Sequence, residues 1–506
     1  MEPDSSPTLR LHAADNVAVA RSDIRSGSIV EGDVRALDDI PAGHKVAVRA
    51  IAAGDAVLKY SSPIGVASQA IEAGRHVHSH NVIAELPQRE HASRRTAGTT
   101  GGAAGQASFQ GFVRPDGRVA TRNYVGIVTT VNCSATVARL IAAQFDAEKL
   151  RRFPGVDGVV ALAHGSGCAM SKASEGFRVL RRTLAGYARH PNFAGVLVLG
   201  LGCEQNQADA LLEDFSLKGT AGTDSLVIQE EGGTRPSVEA GVRSIERLLE
   251  RASQARRETV SASHISLALE CGGSDGYSGI SANPALGAAA DLLVSHGGTV
   301  VLSETPEIIG AEHLLLQRAV SDEVARQLED RVAWWREYTR SHGVSVGDNP
   351  SEGNRRGGIT TIFEKSLGAV AKAGTSPLEA VYEYAQPIDR PGLVFMDSPG
   401  YDPVAVTGQV ASGCNIVCFT TGRGAVFGCR PVPSLKLSTH TALYRRMAGD
   451  IDLDCGGIVE GRETVQDAGR RIFERILATA SGERTCSETL GFGSDEFVPW
   501  QLGAVL

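Results

Sequence analysis

Apolar runs that end in polar, glycine-containing loops recur along this chain. The run at 265–269 is typical of a buried strand, and the Ala- and Leu-rich segment at 285–295 predicts a helix. Asn283 is the expected N-cap of that helix, and Pro284 lies in its first turn. Residues 270–279, between the two, contain a thiol, two carboxylates and four glycines. This order of strand, glycine-rich loop and helix predicts a ligand-binding corner of an open α/β sheet.

The middle of the chain repeats the pattern. Four apolar runs separated by helical segments predict buried strands at 124–128, 158–163, 195–201 and 225–229. Strands separated by helices predict a parallel sheet, in which ligands bind beyond the carboxyl ends of the strands. The first three runs are each followed by a cysteine, and the three are Cys133, Cys168 and Cys203. We therefore expect a polar site at this edge of the sheet.

The first part of the chain has a different pattern, with short strand-like runs bounded by Asp, Gly or Pro. This pattern predicts a small all-β module. It ends in a segment with His76, His78 and His80, which would share one face if the segment is a strand. Three imidazoles on one face are suitable metal or anion ligands. The alternative is a polar strip that faces solvent.

The last part of the chain continues with apolar runs and polar loops. A run that begins at Gly298 ends in the carboxylate of Glu304. A charged amphipathic helix is predicted at 311–341. The polar loop predicted at 349–366 contains arginine, lysine and asparagine, which suit the binding of a carboxylate-bearing substrate. The alternative for this loop is a solvated surface segment.

Together these patterns predict a multi-domain α/β protein. The predicted parts are a small all-β module at 1–87, a flexible linker at 88–108, and two α/β domains with mainly parallel sheets at 109–259 and 260–506. A chain of 506 residues is long enough for about three domains.

Composition excludes several classes of protein. The net charge is −8 and basic residues form no stripe, so we expect no nucleic-acid partner. No apolar run reaches membrane-spanning length, and the polar N-terminus does not resemble a signal peptide. Nine scattered cysteines, an odd number, argue against a disulfide framework and favour a cytoplasmic location with reduced thiols.

Familiar catalytic motifs are missing from the sequence. It contains no P-loop, GxSxG or HExxH signature, and no GxGxxG follows a strand with the spacing of a dinucleotide site. The concentration of His, Cys, Glu, Lys and Arg near predicted strand ends instead indicates metal-assisted or acid/base chemistry on a small anion.

Several motifs in order then indicate a family. They are Ser62-Pro-Ile-Gly65, His76-Val-His78-Ser-His80-Asn81, Gly117-Arg118-Val, Thr121-Arg122-Asn123-Tyr124, Gly202-Cys203-Glu204, Glu270-Cys271-Gly-Gly-Ser274-Asp275, Gly357-Gly-Ile-Thr-Thr, Glu364-Lys365-Ser and Gly422-Arg423-Gly. Across essentially its whole length the chain resembles the altronate/galactarate dehydratase family, whose N-terminal module is a SAF (β-clip) domain.

The resemblance implies dehydration of a sugar acid, preferably an altronate-type aldonic acid, to a 2-keto-3-deoxy acid. It also implies a divalent metal, iron(II) or manganese(II), with magnesium as an alternative. Such a metal stabilises the enediolate while a base removes the proton next to the carboxylate and an acid assists loss of the β-hydroxyl. A homodimer is the default expectation.

Candidate residues follow from these motifs and from side-chain chemistry. The general acid or base is expected among His78, His164 and Lys365. Substrate contacts are expected from Arg122, Asn123, Ser274, Asp275, Arg355 and Arg423. Metal ligands are expected among His78, His80, Cys133, Cys203, Glu204 and Cys271.

Four alternatives stay open at this point. In the first alternative, the substrate is galactarate, an aldaric acid. A sulfolactate-type sulfo-lyase, which expels sulfite instead of water, is the second. The third is a non-catalytic binder of sugar acids. The fourth is a dehydratase that uses cysteines as ligands of an iron–sulfur cluster.

Overall fold

The computed structural model of the chain describes residues 6–85, 107–218 and 222–503. The predicted linker therefore lies outside the described residues except for its last two positions, and the predicted domain limits stay a prediction. Within the described residues, no helix combines the length and apolar character needed to cross a membrane.

The N-terminal part is the predicted small all-β module. Its strands pair antiparallel in the orders β1-β2-β5-β8 and β6-β7-β9, with a separate β3-β4 hairpin. The strands are β1 (Thr8–Leu9), β2 (Val17–Ala20), β3 (Ile29–Glu31), β4 (Val34–Arg35), β5 (Lys45–Ala47), β6 (Ala56–Lys59), β7 (Ser62–Ala67), β8 (His76–Val77) and β9 (Val82–Ile83). Short β-branched and Ala residues such as Val17, Ile51, Ile64 and Val77 fill its core.

The middle part contains the predicted parallel sheet, in the order β13-β12-β14-β15. A smaller antiparallel sheet, β11-β10-β16, lies beside it. The strands are β10 (Ser108–Val113), β11 (Val119–Ala120), β12 (Tyr124–Thr129), β13 (Gly158–Leu162), β14 (Phe193–Gly200), β15 (Thr223–Val227) and β16 (Arg257–Ser261). The helices are α1 (Ala135–Ala142), α2 (Ala147–Leu150), α3 (Glu175–Ala188), α4 (Ala208–Asp214) and α5 (Thr234–Ala252).

The last part is built on a seven-stranded sheet, all of whose pairs are parallel, in the order β19-β20-β18-β17-β21-β22-β23. The strands are β17 (Ser266–Cys271), β18 (Thr299–Leu302), β19 (Leu378–Tyr382), β20 (Gly392–Met396), β21 (Ile416–Thr421), β22 (Ser434–Ser438) and β23 (Leu453–Asp454). The helices are α6 (Ala282–Ser295), α7 (His313–Leu316), α8 (Asp322–Ser341), α9 (Glu352–Arg356), α10 (Ile362–Ala371), α11 (Asp402–Ser412), α12 (Thr441–Arg446), α13 (Gly456–Val459), α14 (Val465–Ala480) and α15 (Cys486–Leu490).

The strand order of this sheet places a crevice beside β17. From β17 the chain moves to β18 on one side and later returns to β21 on the other side. Connections that leave a parallel sheet in opposite directions open a space beyond the carboxyl ends of the two strands. The glycine-rich loop after β17 lies at that place, as the sequence predicts.

Three local predictions are wrong. Asn283 is not an N-cap, because α6 begins at Ala282 and the Asn283 amide donates to the Gly368 carbonyl while its oxygen accepts from Thr420 Oγ1. The helix predicted at 311–341 is two helices, since Ser321 accepts a hydrogen bond from Val324 N and starts α8 anew. The loop predicted at 349–366 contains α9 and the start of α10.

The β-module packs against the last part of the chain. Tyr277 in the loop after β17 donates its hydroxyl proton to the Ala20 carbonyl at 2.8 Å. Lys45 of the module donates to the Gly358 carbonyl at 2.6 Å. A Cβ on Gly276 would lie 1.9 Å from the Gly43 carbonyl oxygen, so the absence of a side chain allows this close approach. The module thus covers one side of the crevice.

Candidate active site

Two backbone loops form the floor of the crevice. Gly272 N donates to the Thr420 carbonyl, and Gly422 N and Arg423 N both donate to the Gly273 carbonyl. A Cβ on Gly422 would lie 2.1 Å from Cγ of Asp275, so only glycine fits there. The loops after β17 and β21 are therefore locked together, and the side chains between them have fixed positions.

Acidic groups, all buried except the partly buried Asp402, gather beside this floor, and we call them the carboxylate cluster: Glu270, Cys271, Glu304, Glu307 and Asp402. Single ligand atoms of Cys271, Glu304 and Glu307 lie within 4.8 Å of one another. The same holds for Glu270, Glu304 and Asp402. The members come from the end of β17, the segment after β18 and the start of α11. These are sequence-distant segments that only the parallel sheet brings together.

Glu304 has a backbone conformation that is rare for its residue type. Its φ of 67° and ψ of 63° lie in the left-handed region. Such a conformation costs about 1–3 kcal/mol for a residue with a side chain. Ser398 stabilises it, because Ser398 Oγ accepts from Glu304 N and the Ser398 carbonyl accepts from Thr305 N. The conformation holds the Glu304 carboxylate in the cluster instead of continuing β18.

Two lysines of α10 and the loop that follows it contact the cluster. Lys372 Nζ donates to Cys271 Sγ at 2.9 Å and lies 3.4 Å from Glu304 Oε2. Lys365 Nζ lies 2.5 Å from Glu307 Oε1 and 3.1 Å from Asn349 Oδ1. Burial alone lowers the pKa of Lys365, but Glu307 and Cys271 outweigh it and raise the pKa. Both lysines are therefore ammonium groups at neutral pH.

The two ammonium groups do not balance the four carboxylates of the cluster. Both oxygens of Glu270 and one oxygen each of Glu304 and Glu307 have no hydrogen-bond partner among the described residues. Burial raises the pKa of Glu304 to about 8, with a further contribution from Glu307. Burial likewise raises the pKa of Asp402 to about 6. Buried carboxylate oxygens without partners are costly, and a divalent cation would satisfy them.

The β-module supplies one wall of a cavity next to the cluster. The cavity is lined by Lys59, Tyr60, Cys271, Ser274, Glu364 and Lys365, among others. Tyr60 and Ser61 form the tip of the β6-β7 hairpin and have positive φ values of 59° and 55°. The Asp15 carboxylate accepts from both of their backbone N–H groups, at 3.2 and 2.8 Å. This contact holds the hairpin tip in a conformation that inserts it into the cavity.

A buried ion triad fixes the module in this position. Glu364 of α10 accepts from Lys45 Nζ and Lys59 Nζ, each at a closest distance of 2.8 Å. Burial favours the neutral acid, but the two lysines together hold the pKa of Glu364 at about 2. Burial lowers the pKa of Lys45 to about 8. The triad joins the module to the domain that carries the carboxylate cluster.

The predicted histidine strand is wrong in detail, although its imidazoles do come together. Strand β8 ends at Val77, and the chain turns at 78–80. The turn brings His78 and His80 beside His76 and His44, with ring centroids 4.9 to 5.5 Å apart. Burial lowers the pKa of His78 to about 4, and its Nδ1 lies 3.3 Å from Thr360 Oγ1. These histidines line the module interface, and no three of them place ring nitrogens within 4.8 Å of one another in the described residues.

His164 and Glu204 have structural contacts that correct their predicted roles. His164 Nε2 lies 3.0 Å from the Thr129 carbonyl and Nδ1 accepts from Ser166 N, so neither nitrogen is available for proton transfer. Burial lowers the pKa of His164 to about 4. Glu204 accepts from Thr130 Oγ1 and from the N–H groups of Leu201 and Gly202. Its carboxylate ties its own loop to the end of β12, and its role as a metal ligand stays a prediction.

Arg122 and Asn123 are also structural, contrary to the predicted substrate contacts. Arg122 is 2% exposed and its guanidinium bonds to both carboxylate oxygens of Glu488 and to three backbone carbonyls. The Asn123 side chain donates to the carbonyls of Gly155 and Ala252 and accepts from Arg114. Neither side chain has a free donor to offer a substrate.

The other predicted substrate contacts lie at the crevice. Ser274 lines the cavity, and Asp275 accepts from Tyr277 N, Ser278 Oγ and Thr439 Oγ1, which makes Asp275 a loop anchor. Arg355 donates to the carbonyls of Pro350 and Thr360. Arg423 is exposed, and its guanidinium has no hydrogen bond to the described residues. Of the predicted cations, Arg423 is thus the one with all its donors available.

The structure separates the predicted metal ligands into three places. His78 and His80 lie at the module interface, Cys133, Cys203 and Glu204 lie in the middle domain, and Cys271 lies in the carboxylate cluster. The sequence indicated Glu304 as a strand-ending carboxylate but did not single it out. The sequence did not mark Asp402 or Lys372 as functional residues, because an Asp after a Pro-Gly turn and a Lys after a helix are ordinary at such positions.

Comparison with known proteins covers nearly the whole chain. Residues 6–85 match the family model for the altronate/galactarate dehydratase SAF domain. Residues 111–253 match the model described as D-galactarate dehydratase/altronate hydrolase, second domain, and residues 262–505 match D-galactarate/altronate dehydratase, C-terminal.

Three relatives show how far the similarity extends. Altronate dehydratase of Bacillus subtilis is 37% identical over 482 residues, which are 94% of this chain and 95% of the relative. Galactarate dehydratase (L-threo-forming) of Escherichia coli is 36% identical over 491 residues, 94% of this chain and 93% of the relative. The beta subunit of (2R)-sulfolactate sulfo-lyase of Chromohalobacter salexigens is 31% identical over 388 residues, 76% of this chain and 95% of the relative.

Proposed function

This chain belongs to the altronate/galactarate dehydratase family of hydro-lyases, and on that premise we propose that it dehydrates a sugar acid to a 2-keto-3-deoxy acid. The preferred substrate is an altronate-type aldonic acid. The observation that supports the proposal is the carboxylate cluster at the carboxyl end of β17, with unpaired buried oxygens beside two ammonium groups. Proton transfer next to a carboxylate needs such a combination of acid, base and positive charge.

The cluster fits a divalent cation, either iron(II) or manganese(II). Cys271 and Glu304 would hold it, because their ligand atoms already lie within 4.8 Å of one another. When bound, the cation supplies a Lewis acid that stabilises negative charge on the substrate carboxylate. The unpaired oxygen of Glu304 would gain a partner in this way, and the unpaired oxygen of Glu307 stays free to take a proton.

The chain's own residues bind and orient the sugar acid. Arg423, just after β21, offers an unpaired guanidinium for a substrate carboxylate, and Ser274 lines the cavity beside the carboxylate cluster. The hairpin tip with Lys59 and Tyr60 closes the opposite wall and excludes water. The module is therefore part of the site in this proposal.

Glu307 would act as the general base and Lys365 as the general acid. Glu307 takes the proton from the carbon next to the substrate carboxylate, and the electron pair of that C–H bond forms the double bond. The Lys365 ammonium gives a proton to the departing β-hydroxyl, which leaves as water. Because Lys365 Nζ lies 2.5 Å from Glu307 Oε1, the abstracted proton then passes from Glu307 to the neutral lysine. The enol product then takes its keto form, so atoms and protons balance.

The test is a panel of aldonic acids, aldaric acids and sulfolactate, assayed anaerobically with iron(II), manganese(II) or magnesium. Metal-dependent formation of a 2-keto-3-deoxy acid from an aldonic acid is expected. Product from galactarate alone would make the chain a galactarate dehydratase. Release of sulfite from sulfolactate without any dehydration would replace the proposal with a sulfo-lyase, and no turnover of any acid by the metal-loaded protein would overturn it.

A further inference from the structure

The exposed cysteines of this protein are confined to one place. Of its nine cysteines, three are exposed, namely Cys133, Cys168 and Cys203. They follow β12, β13 and β14, which are adjacent strands of one parallel sheet, so all three lie in loops at its carboxyl edge. The other six are buried or partly buried. Because cysteine is among the most buried residue types, three exposed thiols at one sheet edge need an explanation. We call this edge the thiol edge.

The three loops of the thiol edge are bound to one another. Asn132 N donates to the Ser166 carbonyl at 2.9 Å, which joins the first loop to the second. Asn206 N donates to the Gly167 carbonyl at 3.3 Å, and its side-chain amide donates to the Thr130 carbonyl at 3.0 Å. A Cβ on Gly167 would lie 2.2 Å from the Thr130 oxygen. Each cysteine is within one to three residues of such a contact, so the loops hold the thiols in a fixed arrangement.

The thiols themselves are free. All three are unbridged, and none has a hydrogen bond to the described residues. Close by, Asn206 is 1% exposed and its Oδ1 has no partner among those residues. Cys271, Cys414 and Cys429 differ, since each thiol contacts a polar neighbour inside the core.

The three thiols do not lie close enough together to hold one tetrahedral ion as they stand. The three Sγ atoms do not lie within 4.8 Å of one another in this part of the structure. Thiolates around one tetrahedral ion, at about 2.3 Å from the metal, would be closer than that. An iron–sulfur cluster spreads its iron atoms over several ångströms and accepts wider thiolate spacing.

We propose that Cys133, Cys168 and Cys203 bind a [4Fe–4S] cluster through their thiolates, with one iron left without a protein ligand. Binding releases the three thiol protons to solvent. The open iron would accept water or an oxygen of a hydroxy acid. A cavity lined by Asn132, Arg139, His164, Ser166, Phe497 and Gln501 borders the same loops and has room for such a ligand. This site is separate from the carboxylate cluster and does not depend on the proposed function.

The experiment uses the full-length protein, purified without oxygen and reconstituted with iron(II), sulfide and a thiol reductant. Iron and acid-labile sulfide per chain, broad visible absorption and the electron paramagnetic resonance signal after reduction are measured. We expect about four sulfides per chain, and about four irons per chain beyond the iron(II) bound at the carboxylate cluster. Cys133→Ser, Cys168→Ser and Cys203→Ser should each lose most of the sulfide and the absorption.

Two control variants separate the cluster from other causes. Cys486→Ser changes a partly exposed thiol outside the thiol edge and should keep the full signal. Cys271→Ser removes a ligand of the carboxylate cluster and should also keep the sulfide, which distinguishes this site from the divalent-cation site. Full iron and sulfide in all three thiol-edge variants would overturn the proposal. Zinc or iron that is bound without sulfide and is lost in the three thiol-edge variants would overturn it as well.

Discussion

The carboxyl edges of the two parallel sheets have opposite chemistry. At the thiol edge the candidate ligands are exposed cysteines, and the nearby His164 and Glu204 have hydrogen-bond partners within their own domain. At the carboxylate cluster the candidate ligands are mostly buried carboxyl groups, and several of their oxygens lack a partner among the described residues. Both edges come from the same strand-loop-helix plan. The difference shows that strand ends provide the position of a site, while the few loop residues decide its chemistry.

The largest expected effect tests whether catalysis lies at the carboxylate cluster. Lys365→Met removes the ammonium that contacts Glu307 and lines the cavity. Loss of a general acid lowers kcat by about 10²–10⁴-fold. The measurement is kcat on the best acid of the panel. Lys172→Met, at an exposed lysine of the middle domain, should leave kcat unchanged. A Lys365→Met enzyme with parental kcat would remove the cluster from the reaction.

The next effect concerns the module that closes the carboxylate cluster. Glu364→Ala leaves Lys45 and Lys59 without a counterion in a buried interface. Breaking a buried pair in this way costs about 3–5 kcal/mol. Urea unfolding should show this loss in the free energy of unfolding. Asp39→Ala, which breaks the exposed pair with Arg25, should change it by about 1 kcal/mol or less. An equal effect of both variants would contradict the anchoring role of Glu364.

The sequence predicted the strands and the crevice well, because apolar runs bounded by Gly and polar residues mark buried parallel strands directly. It also predicted Cys271, Lys365, Ser274 and Arg423 at the crevice. It failed where a side chain's role depends on tertiary partners. Arg122 and an unpaired arginine such as Arg423 look alike in sequence, and only the structure shows that Glu488 occupies one of them.

The same limit explains the misplaced ligands. Three histidines at alternate positions predict one face of a strand. In the structure the strand ends at Val77, and a turn after it brings the three imidazoles together instead. Cys133, Cys203 and Cys271 all follow or end predicted strands, so a sequence pattern assigns them to one site. Two separate sheets place them at different edges, which no local pattern reports.

The two edges should also respond to pH in opposite directions, and the carboxylate cluster gives the larger response. Burial raises the pKa of Glu304 from 4.5 to about 8, so the folded state binds more protons than the unfolded state between these values. The contribution of Glu304 to the stability of the metal-free protein should therefore fall as pH rises, by about 3 kcal/mol between pH 5 and pH 8. Urea unfolding in the presence of a chelator measures it.

Two comparisons check this assignment. In Glu304→Gln this pH-dependent contribution to the free energy of unfolding should be absent, because the amide does not titrate. Adding manganese(II) at pH 8 should restore the lost stability of the parent protein by binding the ionised carboxylates. The same pH dependence of the unfolding free energy in the metal-free parent protein and in Glu304→Gln would contradict the raised pKa of Glu304.

The thiol edge should lose stability in acid. Burial lowers the pKa of His164 from 6.5 to about 4, so the unfolded state takes up the proton first as pH falls through 6.5. The expected loss is about 2 kcal/mol between pH 7 and pH 5. His164→Asn should reduce the slope of unfolding free energy against pH over this range. His342→Gln, at an exposed histidine, should leave the slope unchanged and serves as its control.

The smallest effect decides which edge binds the substrate carboxylate. Arg423 at the carboxylate cluster and Arg139 beside the thiol edge are both exposed arginines that border a crevice or cavity at a sheet edge. A hydrogen bond to a charged group contributes about 1.5–3 kcal/mol, so losing the guanidinium that binds the substrate should raise KM by about 10-fold or more. We expect this increase for Arg423→Gln, with kcat changed far less, and a parental KM for Arg139→Gln. The reverse result, a raised KM for Arg139→Gln alone, would move substrate binding to the thiol edge and leave the carboxylate cluster a structural cation site.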